Sequence, residues 1–355
     1  MSLIMSTSSI LPLALGLIIF SFLITSVLVV PFINLLYKLK LTRRKQALGN
    51  GKKSLFDRLH DGKAGTPVGG GILIIAVVTA LFAILLPLIT YMGVYIQSSF
   101  CLGDELFVVF FTFLSFGLLG LTDDVVKMFG KPKKGRLGMW FGLTRKQKFI
   151  AQWLLAIFVG YYLYNNLGIH ILHIPIFNKT LDLGFWYVPF AATLIVTFTN
   201  AYNITDGLDG LASGLLMIFL IAFGAIAATS LDVPLSLFIT MWLGSLMAFL
   251  YFNVWPARIF LGDSGALSFG AMIALIGLIT GSIFPLLVIG AIFLIEVSSS
   301  AIQILGWKFL KKPIFPLAPI HHTFLAQGWE EPKIVMRAWL AGIMLAIFGL
   351  WLATI

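Results

Sequence analysis

Cysteine is all but missing from this chain of 355 residues, with Cys101 alone. A single thiol closes no internal disulfide, which excludes a disulfide scaffold and dithiol redox chemistry. Charge is scarce too, at 11% of the residues, and acids are scarcer than bases, with 14 Asp and Glu against 24 Lys and Arg. The sequence has no separate domains, no low-complexity tract and no clear internal repeat, so residues 1–355 read as one unit rather than a solenoid or an array. It also has no soluble domain to present a basic face, so nucleic-acid binding is not indicated despite a net charge of +10.

Apolar residues are what the chain has in excess. They make up 59% of it, and the mean hydropathy is +1.01, far above a soluble domain. The fold class is therefore all-α integral membrane. A hydrocarbon core of about 30 Å takes roughly 20 apolar residues per helix. Ten stretches qualify or nearly qualify, at 12–36, 69–92, 105–121, 147–165, 185–201, 208–229, 234–252, 265–281, 284–306 and 335–355. The first nine residues carry no Lys or Arg, so the first span reads as a retained anchor rather than a cleaved signal.

Basic residues set the orientation. The loop after the first span holds Lys38, Lys40, Arg43, Arg44, Lys45, Lys52, Lys53, Arg58 and Lys63. The loop after the third holds Lys127, Lys131, Lys133, Lys134, Arg136, Arg145, Lys146 and Lys148; Arg258 and the 307–337 region add more. Lys179 alone falls on the other side. The positive-inside rule then puts both termini outside and these loops in the cytoplasm, facing anionic headgroups and an anionic substrate. Two long excursions remain. Segment 166–184 reads as an outer β-hairpin, its His170 and His173 as ordinary loop residues. Segment 307–334, with Pro313, Pro316 and Pro319, reads as an ordered loop rather than a long helix.

Five aspartates gather at inner helix ends: Asp123, Asp124, Asp206, Asp209 and Asp263. A carboxylate beside hydrocarbon is costly unless solvated, paired or metal-bound, so five on one side point to a shared polar site. Asp123 and Asp124 stand side by side, an arrangement that serves a solvated helix end or a bound cation. Asn203, Asp206 and Asp209 recur every third residue, so a helix would put them on one face at the start of the sixth span. One of them suffices for a cap; three, with Gly207 and Gly210, exceed that need. Asp263 lies between Gly262 and Gly265, where a tight backbone lets a carboxylate reach Mg2+, an ion that takes one or two carboxylates and completes its shell with water and phosphates. Phe260 nearby reads either as a loop aromatic packed on its neighbours or as a ring to stack on a flat base. The adjacent His321 and His322 are a metal pair by composition or, with Mg2+ as the ion, donors to a diphosphate.

Taken together, KAGTPVGGG at 63–71, LTDDVVK at 121–127, NITDGLDGLASG at 203–214, FNVWPARIFLGDSGALSFG at 252–270 and PLAPIHH at 316–322 resemble the phospho-N-acetylmuramoyl-pentapeptide transferase family. That family belongs to the wider polyprenyl-phosphate N-acetylhexosamine-1-phosphate transferases, and the resemblance spans most of the chain. It implies a bundle of about ten transmembrane helices in the bacterial inner membrane, a homodimer, and an active site at the cytoplasmic face. The reaction implied moves phospho-N-acetylmuramoyl-pentapeptide from UDP-N-acetylmuramoyl-pentapeptide to undecaprenyl phosphate, giving lipid I and UMP with Mg2+. Asp263 would be the metal ligand, and Asp123, assisted by Asp124, would deprotonate or position the lipid phosphate. Lys63, Asn203, Asp206, Asp209, Asn253, Phe260, Gln303, His321 and His322 would bind substrate.

The ninth span is bent in this family, and here Glu296 and Ser298 to Ser300 interrupt its apolar run, suiting either a lipid groove or close helix packing. The family commonly has three successive histidines where this chain reads His321, His322, Thr323. A sibling enzyme that moves N-acetylglucosamine-1-phosphate would share the aspartates, but PLAPIHH resembles the muramoyl-pentapeptide branch. A transporter would place its acids near the midplane at a repeat interface, which this sequence does not.

Overall fold

The computed structural model describes residues 7–43, 63–93, 96–129, 144–177, 179–230 and 232–355. Arg44, Lys45, Lys52, Lys53, Arg58, Lys131, Lys133, Lys134 and Arg136 lie outside the described residues. Long helices alternate in direction: α1 Thr7–Lys38, α2 Gly70–Tyr91, α3 Leu102–Phe129, α4 Arg145–Asn165, α5 Tyr187–Thr205, α6 Leu211–Thr229, α7 Val233–Asn253 and α8 Gly262–Ile279. A broken pair follows, α9 Ile283–Ile289 and α10 Ala291–Leu305, then the short α11 Ile320–Ala326 and finally α12 Glu331–Ala353. Eight helices among the described residues are long and apolar enough to cross a bilayer. The expected spans at 147–165 and 185–201 are also helical, as α4 and α5, but fall short of that apolarity. Helix α4 packs on α5 and α3 with its outer face, including Ile150 and Leu154, exposed, while α5 packs on α8.

The layers follow from exposure. In α7 and α8, 94% and 89% of the most apolar window is buried, against 22% in α1 and 28% in α12, so α7 and α8 are the centre and α1 and α12 the rim. Phe113, Phe238, Trp242 and Phe269 fill the space between α3, α7 and α8, with Phe113 and Phe238 edge to face at 5.1 Å and Trp242 and Phe269 at 5.0 Å. Such contacts favour one packing because the ring quadrupoles oppose a face-to-face sandwich.

Several boundaries differ from the sequence reading. Helix α3 runs to Phe129, so Asp123 and Asp124 lie within a helix and Lys127 sits one turn on from Asp123. Asn203, Asp206 and Asp209 do not share a helix face: α5 ends at Thr205, and α6 begins only after Gly210, whose φ of 77° lies in the left-handed region. A tight turn with a left-handed glycine therefore carries the motif, not a helix start. The ninth span breaks at Gly290, earlier than the polar run at 296–300; the ψ of 6° there leaves the helical region, and a Cβ would stand 2.6 Å from the Phe198 ring, so only glycine fits. The expected hairpin is present: β1 Ile171–Ile174 pairs antiparallel with β2 Lys179–Asp182, Ile171 opposite Asp182. The 307–334 excursion is ordered as a π-helical turn, Gly306–Leu310, a proline-rich loop and α11.

Close backbone approach at one end of the bundle positions the polar residues. A Cβ on Gly71 would lie 2.3 Å from the Cα of Gly265, and one on Gly120 would lie 2.1 Å from the carbonyl oxygen of Asp263. Glycine thus lets α2 and α3 seat directly on the first turn of α8. We expect Gly120→Ala to force α3 off α8 and cost about 1–3 kcal/mol, the scale of overpacking. Gly103→Ala, with nothing within 4 Å of its added Cβ, is expected to leave stability unchanged or slightly raised. Thermal melts of the two variants in the same detergent check the contrast.

Candidate active site

Three clusters of buried polar groups meet where α2, α6, α8 and α12 begin and α3, α5 and α7 end. The first surrounds α8. Gly262, with φ of 81°, turns the chain into the helix, and a Cβ there would lie 2.9 Å from Asp124 Oδ2. Asp124 reaches across from α3 and accepts from the backbone N–H of Asp263 at 3.1 Å and of Ser264 at 3.0 Å. It does from outside what an N-cap residue does within a helix: it satisfies exposed N–H donors and places negative charge at the positive end of the dipole. Asp123, on the same turn of α3, instead meets Lys127 at 2.9 Å and Lys148 at 3.1 Å. The Asp263 carboxylate contacts the same two ammonium groups, Lys127 at 2.7 Å and Lys148. Two lysines thus bridge two aspartates, drawn from α3, α4 and α8.

The second cluster holds the turn between α5 and α6. Lys63 donates to Asp209 at 2.7 Å and to Glu331 at 2.5 Å, and all three side chains are buried. Glu331 also accepts the backbone N–H of Asp209 at 2.6 Å, and Asp209 accepts that of Ala257 at 2.9 Å. Segments remote in sequence are thereby tied around one ammonium. Asn253 braces the adjoining loop, accepting from Ser213 at 2.9 Å and donating to the Ile259 carbonyl at 3.0 Å. Phe260 pairs through its backbone with Pro67, Gly69 and Gly70, while its half-buried ring lies 5.6 Å from the Arg43 guanidinium. Asn203 is half-buried on the last turn of α5.

The third cluster is built on α10 and α11. His321 Nδ1 lies 2.9 Å from Glu296, both fully buried, and its ring is 4.1 Å from that of His322. Its other nitrogen faces Gly207, where an added Cβ would come within 2.5 Å. Thr323 donates to the Leu317 carbonyl, so its hydroxyl serves the fold of the loop. Gln303 is engaged by the same loop, accepting from Ile314 at 3.0 Å and Phe315 at 2.9 Å and donating to the Phe315 carbonyl at 3.1 Å. Beside it a groove of about 390 Å³ runs along α10, lined by Ala291, Leu294, Ile295, Ser298 and Phe315. Ser299 accepts the Ile320 N–H at 3.1 Å and so anchors the loop above that groove.

Asp206 links the clusters. It is half-exposed at the turn, and its carboxyl is pushed up to about 7, first by loss of solvation and then by the Asp263 charge, with Lys63 and Arg43 opposing and Asp209 adding. The structure thus brings Asp123, Asp124 and Asp263 together, and Lys63 with Asp209, while the amides of Asn253 and Gln303 are occupied by the backbone. Sequence reasoning took Lys127 and Lys148 as orientation charges only and passed over Glu331. Lys127 carried a readable signal in its four-residue spacing from Asp123; Lys148 and Glu331 carried none, since only folding brings them to their partners.

Because the folded value of Asp206 lies above the usual 3.8, ionising it opposes folding, and the penalty grows as pH rises from about 4 to beyond 7. Asp206→Asn is therefore expected to gain on the wild type with rising pH, with little difference at pH 5 and on the order of 1 kcal/mol at pH 8, a value discounted for solvent screening. Melting curves of the ligand-free protein across that range measure the trend.

Residues 106–281 match the family described as Glycosyl transferase family 4. A phospho-N-acetylmuramoyl-pentapeptide-transferase of Caldanaerobacter subterraneus subsp. tengcongensis is 34% identical over 305 residues, 86% of this chain and 89% of that protein. One of Clostridium perfringens strain SM101 is 36% identical over 318 residues, 90% of each chain. That of Bacillus subtilis strain 168 is 34% identical over 310 residues, covering 87% of this chain and 90% of the relative. At this identity over nearly the whole length, the chain belongs to the phospho-N-acetylmuramoyl-pentapeptide-transferase family.

Proposed function

We propose that this chain transfers phospho-N-acetylmuramoyl-pentapeptide from UDP-N-acetylmuramoyl-pentapeptide to undecaprenyl phosphate at the cytoplasmic face of a bacterial inner membrane, giving lipid I and UMP. The observation that carries the reading is the bridge in which Lys127 and Lys148 are shared between Asp123 and Asp263 at partly buried helix ends. Two ammonium groups held beside two carboxylates suit a reaction that joins two anionic phosphates, where charge neutralisation and in-line placement are most of the catalysis.

An oxygen of the lipid phosphate attacks the phosphorus that bears the sugar, and the bond from that phosphorus to the UMP oxygen breaks. A phosphate monoester loses its second proton near pH 6, so at neutral pH little remains for Asp123 to remove. Its role is then mainly to place the acceptor, with Lys127 and Lys148 as the cations that receive phosphate oxygens. Asp124 acts through α8, whose first turn it fixes. The residues suit Mg2+. Asp263, with Asp123 close by, offers hard carboxylate oxygens, which in the ligand-free structure are balanced by Lys127 and Lys148. Mg2+ takes one or two carboxylates and completes its shell with water and substrate phosphates. When bound, the ion would neutralise charge on the diphosphate.

Phe260 presents a ring to the uracil, in place of or beside Arg43, and the groove along α10 suits the polyprenyl chain because its lining is almost wholly apolar. The resemblance also favours a homodimer. The sibling reaction with UDP-N-acetylglucosamine is disfavoured by the three relatives described above, each of which carries the muramoyl-pentapeptide name.

Incubation of purified protein with undecaprenyl phosphate, Mg2+ and each UDP-sugar separately is expected to yield lipid-linked pentapeptide and no lipid-linked N-acetylglucosamine. Asp263→Asn is expected to lose nearly all turnover while melting as the wild type does; normal turnover at limiting Mg2+ would take Asp263 out of the site. Phe260→Ala is expected to weaken UDP-substrate binding by on the order of 1 kcal/mol, the scale of an aromatic contact, with lipid-phosphate affinity unchanged. Calorimetric titration of both ligands distinguishes stacking from simple packing.

A further inference from the structure

Glu296 is a carboxylate on a membrane helix, 4% exposed, and the reaction as described makes no use of it. Burying such a group is costly unless a partner compensates, and the partner here is His321 Nδ1 at 2.9 Å. A carboxylate only accepts, so the proton of this contact resides on Nδ1. The other nitrogen, Nε2, is buried and has no hydrogen-bond partner among the described residues. It is aimed at the Asp206–Gly210 turn, where glycine at 207 leaves it room, because a Cβ would intrude to 2.5 Å. A buried imidazole nitrogen with space cleared in front of it, beside the aspartate motif, is poised for a ligand atom.

We propose that Glu296 is a positioning residue that fixes which nitrogen of His321 meets the substrate, holding the proton on Nδ1 and turning Nε2 toward the sugar-linked diphosphate. The inference rests on the transfer reaction proposed above and adds to it a residue and a tautomer. Without substrate, Nε2 is an acceptor. When an anionic phosphate oxygen arrives, the negative charges of Glu296 and phosphate on either side of the ring favour a second proton, and Nε2 becomes a donor. Besides Glu296 on α10, the ring is faced by His322 on α11, and its Nε2 by the backbone at Gly207.

The test uses the full chain labelled with 15N-histidine in lipid nanodiscs. It holds five histidines, and His321→Asn assigns the signal. The wild type without substrate is expected to show His321 protonated at Nδ1 and bare at Nε2. Glu296→Gln offers the ring either an oxygen or an N–H, so the tautomers are expected to mix. Its kcat should fall by about tenfold or more, the gap between a charge-assisted and a neutral hydrogen bond. KM for the UDP-substrate should stay within about threefold, as for an interaction made mainly in the transition state, and the acidic limb of the pH–rate profile should move. Glu296→Asp is expected to restore the single tautomer and part of kcat. A wild-type His321 protonated at Nε2 would overturn the proposal without any variant. So would a Glu296→Gln protein whose tautomer is unchanged, or whose kcat and pH profile match the wild type. Failure of every UDP-sugar to give lipid-linked product would instead overturn the transfer reaction, and the resonances would still report whether Glu296 orients the ring.

Discussion

The contact on which the site depends is the hydrogen bonding of Asp124 to the first backbone N–H groups of α8. A helix that begins inside a membrane protein has orphan donors and no water to satisfy them, so something must reach in. Here it is a carboxylate from another helix, admitted because Gly120 has no side chain to hold α3 away. That one contact sets the axial position of α3 against α8, and with it the position of Asp123 and Asp263 relative to each other. Lys127 and Lys148 then find both carboxylates within reach.

The remaining clusters follow the same logic: buried charge is tolerated because it ties backbone segments together. Lys63, Asp209 and Glu331 carry two negative charges against one positive, yet each carboxylate also accepts a backbone N–H, which compensates part of the excess. The result holds the 206–210 turn, the 255–262 segment and the start of α12 around one point. Backbone N–H groups take part in that frame, while the Lys127 and Lys148 contacts are between side chains alone.

Much of this was legible beforehand. Hydropathy placed the long helices because bilayer thickness sets helix length. Asp123, Asp124 and Asp263 stood out because acids are rare in such a chain and costly beside hydrocarbon. Other features were not legible. The spacing of Asn203, Asp206 and Asp209 suggested one helical face, but left-handed Gly210 interrupts the helix there. Gln303 and Asn253 were singled out for substrate, and folding engages both amides with backbone of nearby loops. The break of the ninth span falls at Gly290, ahead of the polar run at 296–300 that the sequence offered as its interruption.

By itself, the sequence determined the membrane class, the end of the bundle at which charge collects and the residue types available for phosphoryl chemistry, since each follows from composition and local spacing. Tertiary structure alone decided which lysine serves which aspartate, that Glu331 and Glu296 take part, and which nitrogen of His321 faces the turn. The physical reason is distance along the chain. Lys63 and Glu331 are separated by 268 residues and meet at 2.5 Å, a pairing that depends on where α12, which Glu331 begins, packs against helices remote from it in sequence.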